Sequence, residues 1–239
     1  MEKDTLGQRM KGYEQVSKFM LTPKIPIVIR LDGKAFHTFT KPFKRPFDER
    51  LIKSMQDTTE FLVNNIQNCV MGYTQSDEIT LVLLDMLSED TETWFNGGLQ
   101  KIASVSASMC TAYFNNVLKH DRLAFFDSRV FQLPLEDLPN NIVWRMKDCY
   151  KNAITSVAHC HYSQKQLHGV STKDRLELIK DKYLFKDEEL FGTLFYKKLV
   201  TDGDLSMKTL VKENKLMNYY EIKEIIQALG YKFDGLDLF

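Results

Sequence analysis

Hydrophobic and polar positions alternate along this chain in two rhythms, one of period two and one of helical period. From Ile25 to Leu31 the apolar residues Ile25, Ile27, Val28, Ile29 and Leu31 are mostly β-branched, which predicts a strand. Pro26 fits only near its start or on an edge. The period of two puts Arg30 and Asp32 on one face and Ile27, Ile29 and Leu31 on the other. Asp32-Gly33 ends the strand in a turn. Upstream, Tyr13, Val16, Phe19 and Met20 fall at helical spacing within residues 1–22, and Pro23 stops that pattern. Downstream, Asp48 is the expected N-cap of a helix in which Leu51, Ile52, Met55, Thr59, Leu62, Val63 and Ile66 recur at i+3/i+4.

Residues 69–76 and 78–85 predict two strands joined through Gln75-Ser76-Asp77-Glu78, a tight turn with two acids and no glycine. A helix over 97–117 and a strand from Leu123 to Leu133 follow. Strand, helix, strand, strand, helix, strand is the β-α-β-β-α-β order of a ferredoxin-like α+β sheet. That topology sets the first strand antiparallel to the third, so Asp32 and Asp77 are predicted neighbours. Beyond Asn140 come a helix to about Tyr162 and a further helix opened by Ser171-Thr172-Lys173-Asp174. A mixed stretch at 186–200, a linker at Asp202-Gly203-Asp204 and a last helix over 213–230 complete the chain.

The 239 residues carry a net charge of +0, so no global basic field points to nucleic acid, and any such contact must be a local patch. The four cysteines, Cys69, Cys110, Cys149 and Cys160, form no CxxC pair, which argues against a zinc ribbon or disulfide framework and for reduced thiols in a cytoplasmic protein. The polar N-terminus is not a signal peptide, and no apolar run is long enough to span a bilayer.

Alone, Asp32-Gly33 reads as an ordinary turn. Two acid turns meeting at one sheet edge change that reading to a cation site, with the Gly33 carbonyl as a further oxygen. Carboxylate oxygens suit Mg²⁺, which takes the rest of its shell from water and phosphate. Lys34, Lys41, Lys44, Arg45 and Lys101 are cations available to phosphate. His37 is either a base or triphosphate contact or a packed loop residue, and packing is the expectation. His159-Cys160-His161 is a poor zinc motif, since adjacent helical residues face apart.

Four ordered segments carry a resemblance: Arg30-Leu31-Asp32-Gly33-Lys34-Ala35-Phe36-His37, Gln75-Ser76-Asp77-Glu78, Phe126-Asp127-Ser128-Arg129 and Trp144-Arg145-Met146-Lys147-Asp148-Cys149. Over about residues 10–200 the chain resembles the tRNA-His guanylyltransferase superfamily of 3′-to-5′ polymerases. The resemblance implies a palm-like catalytic domain over 1–137, with residues 138–239 as a helical C-terminal region. It implies a nucleotidyltransferase that uses two Mg²⁺ ions and ATP or GTP to activate the 5′ end of tRNA before adding a nucleotide. Asp32, Asp77 and Glu78 are the implied catalytic carboxylates, with Asp32, Gly33 and Asp77 as metal ligands. Arg30, Lys34, Ala35, Phe36, His37, Ser76, Lys101 and Asn152 are implied for nucleotide or triphosphate. Lys44, Arg45, Asp48, Arg129, Arg145 and Arg175 are implied for RNA or 5′-end activation. The acceptor stem of tRNA and nucleoside triphosphates are the implied partners, and a homotetramer the implied assembly.

The chain departs from the tRNA-His enzymes in one segment. Where eukaryotic members carry His-Ile-Asn-Asn, it reads Tyr150-Lys151-Asn152-Ala153. The departure resembles the Thg1-like branch of bacteria and archaea and implies templated addition that repairs 5′-truncated tRNA. An aromatic Tyr150 suits base stacking without sequence preference. The alternatives are non-templated guanylate addition to tRNA-His, a palm-type nucleotidyl cyclase and a non-catalytic RNA-binding module.

Overall fold

A computed structural model describes residues 5–202 and 205–233. Helix α1 (Leu6–Gln15) precedes strand β1 (Ile27–Gly33), the one-turn α2 (Phe36–Phe39) and α3 (Glu49–Asn65). Strands β2 (Cys69–Gln75) and β3 (Glu78–Leu83), helix α4 (Leu99–Leu118) and strand β4 (Phe126–Gln132) follow. The long α5 (Leu138–His161), the short α6 (Gln164–Leu167), α7 (Thr172–Ile179) and α8 (Asp187–Phe191) lead to β5 (Thr193–Asp202), β6 (Leu205–Glu213) and α9 (Tyr219–Ala228).

The first four strands take the expected order within a six-stranded antiparallel sheet, β4-β1-β3-β2-β5-β6. The alternation in β1 sorts its residues as expected. Ile27, Ile29 and Leu31 enter the core beneath α3 and α4. Val28 enters the second core, beneath α5 and α9. Every residue of β2 and β3 is buried, because helices cover the middle of the sheet on both faces. Helix α3 lies so close on β2 that a Cβ at Gly72 would stand 2.6 Å from Val63 Cγ2. A third apolar cluster joins the C-terminal half of α5 to α6 and α7.

Three expectations change. Of the stretch at 186–200, Asp187–Phe191 is the short α8 and the rest from Thr193 is strand β5, which forms with β6 a β-hairpin that extends the sheet along β2. Strand pairing decides this, since Lys197-Lys198 and Lys208 interrupt any apolar period. The expected last helix spans only Tyr219–Ala228. Of the expected linker, Gly203 and Asp204 lie outside the described residues. At the N-terminus, the helix expected over 1–22 is α1, which stops at Gln15 and buries none of its residues; Tyr13, Val16, Phe19 and Met20 are all exposed. Among the described residues no helix is long and apolar enough to cross a membrane.

Candidate active site

The end of β1 and the β2–β3 turn meet at one edge of the sheet. Asp32 pairs with Glu78 across β3 and with Asp127 across β4. The Gly33 N–H donates to the Asp77 carbonyl at 3.1 Å, which ties the two acid turns together. Gly33 is required there by close approach, since a Cβ would lie 2.2 Å from the Phe36 ring. Phe36 is therefore a core residue packed under the turn, in ring contact with Phe39, Phe114 and Phe126. Ala35 and Ser76 take left-handed backbone angles, φ 53° and 50°, without being glycine. Such angles cost about 1 kcal/mol each and persist where the surrounding structure holds them.

Charge is arranged unevenly at this edge. Arg129 reaches Asp32 at 3.6 Å and Asp127 at 3.8 Å. Arg145, from α5, grips Glu78 with Nε and Nη2, both at 2.7 Å, and reaches Asp148 at 3.0 Å. Asn152 donates to the same Asp148 at 3.2 Å. Arg30 stands 3.9 Å from Glu78, and its buried Nε has no hydrogen-bond partner. Asp77 differs from its neighbours: its carboxylate accepts from the Ser76 hydroxyl at 3.1 Å and forms no ion pair among the described residues. Burial pushes the Asp77 carboxyl above its ordinary range, and the charges of Asp32 and Glu78 add to that push.

This donor set suits a hard divalent cation. Two carboxylates and a neighbouring backbone oxygen are oxygen ligands, and one of the carboxylates is partly buried without a compensating charge. No group of three His, Cys, Asp or Glu side chains converges among the described residues, so water and phosphate would complete the shell.

Beside Asp77 opens a cavity of about 550 Å³, within the size range of nucleotide pockets. His37, Lys44 and Arg45 line it, all exposed, together with Ser76 and Asp77. The expectation that His37 packs is corrected: its ring lies at the cavity wall, 3.0 Å from the Thr38 hydroxyl. Asp48 caps α3, accepting from the Lys44 and Arg50 N–H groups at 3.1 and 2.9 Å. Burial raises its carboxyl, but those hydrogen bonds and the Arg50 side chain outweigh burial and hold it below the ordinary range.

Other expected site residues lie elsewhere or are occupied. Lys101 sits over the Phe95 ring at 4.7 Å, in a second depression with Lys18 and Phe19. That depression is at the other end of β1, where Gly98 bridges Met20 and Gln132, opposite Ile27, binds Thr22. Arg145 is buried and held by Glu78 and Asp148, so it is not available to RNA. Glu78, bound in that fork, holds α5 against the sheet instead of pointing into the cavity. Arg175 braces Thr155 and the Leu167 carbonyl, each at 3.1 Å. Lys34 is exposed directly after the metal-type turn, with its N–H on the Phe125 carbonyl. Tyr150 stacks on Phe191 at 6.2 Å and 8°, so its ring is taken up in packing.

Thr155, Ser156, His159 and Cys160 of α5 also line the cavity and were not among the expected site residues. Their i, i+4 spacing along one face of α5 was the available signal.

A family model described as tRNAHis guanylyltransferase matches residues 7–134. A bacterial tRNA(His) guanylyltransferase-like protein in complex with ATP superposes with a TM-score of 0.81 and 32% identity, covering 93% of this chain and 98% of that one. A bacterial protein of the same description in complex with GTP gives 0.82 and 31%, covering 95% and 99%. The tRNA(His) guanylyltransferase of Candida glabrata is 32% identical over 170 residues, 64% of this chain and 70% of its own. With its two acid turns joined at one sheet edge and this likeness running over nearly its whole length, the chain belongs to the tRNA(His) guanylyltransferase family.

Proposed function

We propose that this protein adds nucleotides to the 5′ end of tRNA in the 3′-to-5′ direction, restoring 5′-truncated acceptor stems by templated addition. The observation that carries the reading is the backbone bond that ties the Asp32-Gly33 end of β1 to Asp77, beside a nucleotide-sized cavity lined by cations.

A 5′ monophosphate has no good leaving group. An oxygen of that phosphate attacks the α-phosphorus of ATP or GTP, forming an anhydride and releasing pyrophosphate. The 3′-hydroxyl of the incoming nucleoside triphosphate then attacks the activated 5′ phosphorus. The nucleoside monophosphate leaves, and the tRNA ends in the new nucleotide's triphosphate. Asp32, Asp77 and the Gly33 carbonyl would hold divalent ions, which supply positive charge at attacking and leaving oxygens. Lys44, Arg45 and His37 receive the triphosphate of the activating nucleotide in the cavity. Arg129, half-exposed beside Asp32, neutralises the 5′ phosphate as charge builds there. Glu78 and Arg145 position the turn that presents Asp77.

Template use is supported by the polar groups missing at Tyr150 and Ala153. The stacking role expected of Tyr150 is not part of that support, because its ring is packed on Phe191. A homotetramer is supported by the apolar side chains of Leu6, Met10 and Tyr13 on α1, which the chain itself leaves exposed. The test is incubation with tRNA lacking its first nucleotide, labelled at the 5′ monophosphate, with ATP and the four nucleoside triphosphates. Extension by one phosphatase-protected nucleotide is expected. Binding without covalent change would make the protein an RNA-binding module instead.

A further inference from the structure

Trp144 and Arg145 are neighbours on α5 with opposite surroundings. Arg145 is buried, its guanidinium fixed by Glu78 at 2.7 Å through both Nε and Nη2 and by Asp148 at 3.0 Å. Trp144 is 54% exposed, and its ring centre lies 4.6 Å from Arg145 Cζ. A guanidinium over an indole is attracted to the face of the ring, so a cation fixed by three charge-assisted hydrogen bonds also orients the ring above it. The same cation ties the ring to the acid turns. Glu78 follows Asp77 in the chain and pairs with Asp32 across the sheet. Trp144 is not among the residues that line the cavity beside Asp77. It is an oriented aromatic surface, half in water, one side chain removed from the carboxylate edge.

We infer that Trp144 is the stacking platform for the base of the tRNA's 5′-terminal nucleotide. The inference rests on the proposed function, which places the reacting 5′ phosphate at Asp32 and Asp77, one ribose away from the base it carries. A terminal base has one face on its neighbour in the stem and one face free. An indole covers such a face whatever the base, because every base presents a π-face. That tolerance suits an enzyme whose choice of nucleotide follows the template strand. The aromatic partner expected on this helix is thus Trp144, since the ring of Tyr150 is taken by Phe191. Arg145 contributes by positioning the indole and touches no RNA itself.

The chain has two tryptophans, and Trp94 is only 7% exposed, so acrylamide quenching of the full-length protein reads mainly Trp144. Saturating tRNA that lacks its first nucleotide is expected to lower the quenching constant about threefold or more, and ATP with Mg²⁺ alone to leave it unchanged. Trp144→Ala is expected to lower kcat/KM for templated addition about tenfold, the usual worth of one stacked base, and Trp144→Phe to stay within about threefold of the unaltered protein. A truncated tRNA whose 5′-terminal nucleotide is abasic supplies the second arm. It should cost the unaltered protein about the same tenfold and cost Trp144→Ala nothing further, because the stacking partner is already gone. Bound tRNA that leaves the quenching constant unchanged, protection by ATP alone, or equal losses from Trp144→Ala on the natural and the abasic end overturns the platform and leaves the proposed function standing. A protein that neither binds nor extends the truncated tRNA overturns both.

Discussion

Gly33 and Asp77 are joined by a backbone hydrogen bond of 3.1 Å between the end of β1 and the β2–β3 turn. This bond holds the two acid turns together by main-chain geometry, so changing the side chain of Asp32 or Asp77 leaves the turns in place. Asp32→Ala and Asp77→Ala are expected to remain folded by circular dichroism and to lose a thousandfold or more of both activation and transfer, on the order of losing a principal electrostatic group. Asp77→Asn should in addition raise the melting temperature by about 2 °C in EDTA, because it removes a partly buried charge that has no ion-pair partner among the described residues. Near-normal turnover in either alanine variant would sink the metal assignment.

Arg145 and Glu78 form a buried, two-pronged pair at 2.7 Å. Arg145→Ala strands the Glu78 carboxylate and is expected to cost about 3–5 kcal/mol in urea unfolding. Arg145→Met combined with Glu78→Leu should recover most of that loss, since removing both charges removes the desolvation cost as well. A double variant no more stable than Arg145→Ala would show that the pair acts through something other than mutual charge compensation.

Arg129 lies at the carboxylates and Lys101 at the other end of β1. Arg129→Ala is therefore expected to slow addition to 5′-monophosphorylated tRNA more than Lys101→Ala does, by about tenfold or more. If a 5′-triphosphorylated tRNA restores the rate of the Arg129 variant, activation is the step affected. A Lys101 variant impaired only on the monophosphorylated substrate would return that lysine to activation and require a second chain to bring it to the site.

Template use is read from the product. With tRNAs lacking the first nucleotide and carrying A, C, G or U opposite the gap, the added nucleotide should follow Watson–Crick pairing in each case. Similar rates of guanylate addition to all four would overturn this and make the protein a non-templated enzyme.

Asp48 links the cavity wall to α3. Its carboxyl is held below the ordinary value of 3.8, so its contribution to stability is full above that value and lost as the pH falls through the lowered one. Asp48→Ala should cost about 1 kcal/mol at pH 7, the usual worth of an N-cap. The difference from the unaltered protein should close in strong acid. A penalty that stays constant from pH 7 to pH 2 would show that packing, and not the ionised cap, is lost.

Much of this protein was written in local pattern. The β-branched run into Asp32-Gly33, the acid turn at Ser76-Asp77 and the strand–helix order follow from periods of two and 3.6 that neighbouring residues impose on each other. Together they were enough to place Asp32 beside Asp77, because the β-α-β-β-α-β order allows one compact sheet. Tertiary structure alone decided which cations serve that site. Arg145 meets Glu78 from a helix 67 positions away, and Lys101 is carried to the far end by the direction of α4. The β5–β6 hairpin exists by pairing with β2, which no property of its own lysine-interrupted sequence announces. Tyr150 is taken by Phe191, and His159 is turned into the cavity, by how α5 sits on the sheet. Periodicity tells which face of an element is apolar. What the polar face meets depends on register and helix packing, which residues distant in sequence set.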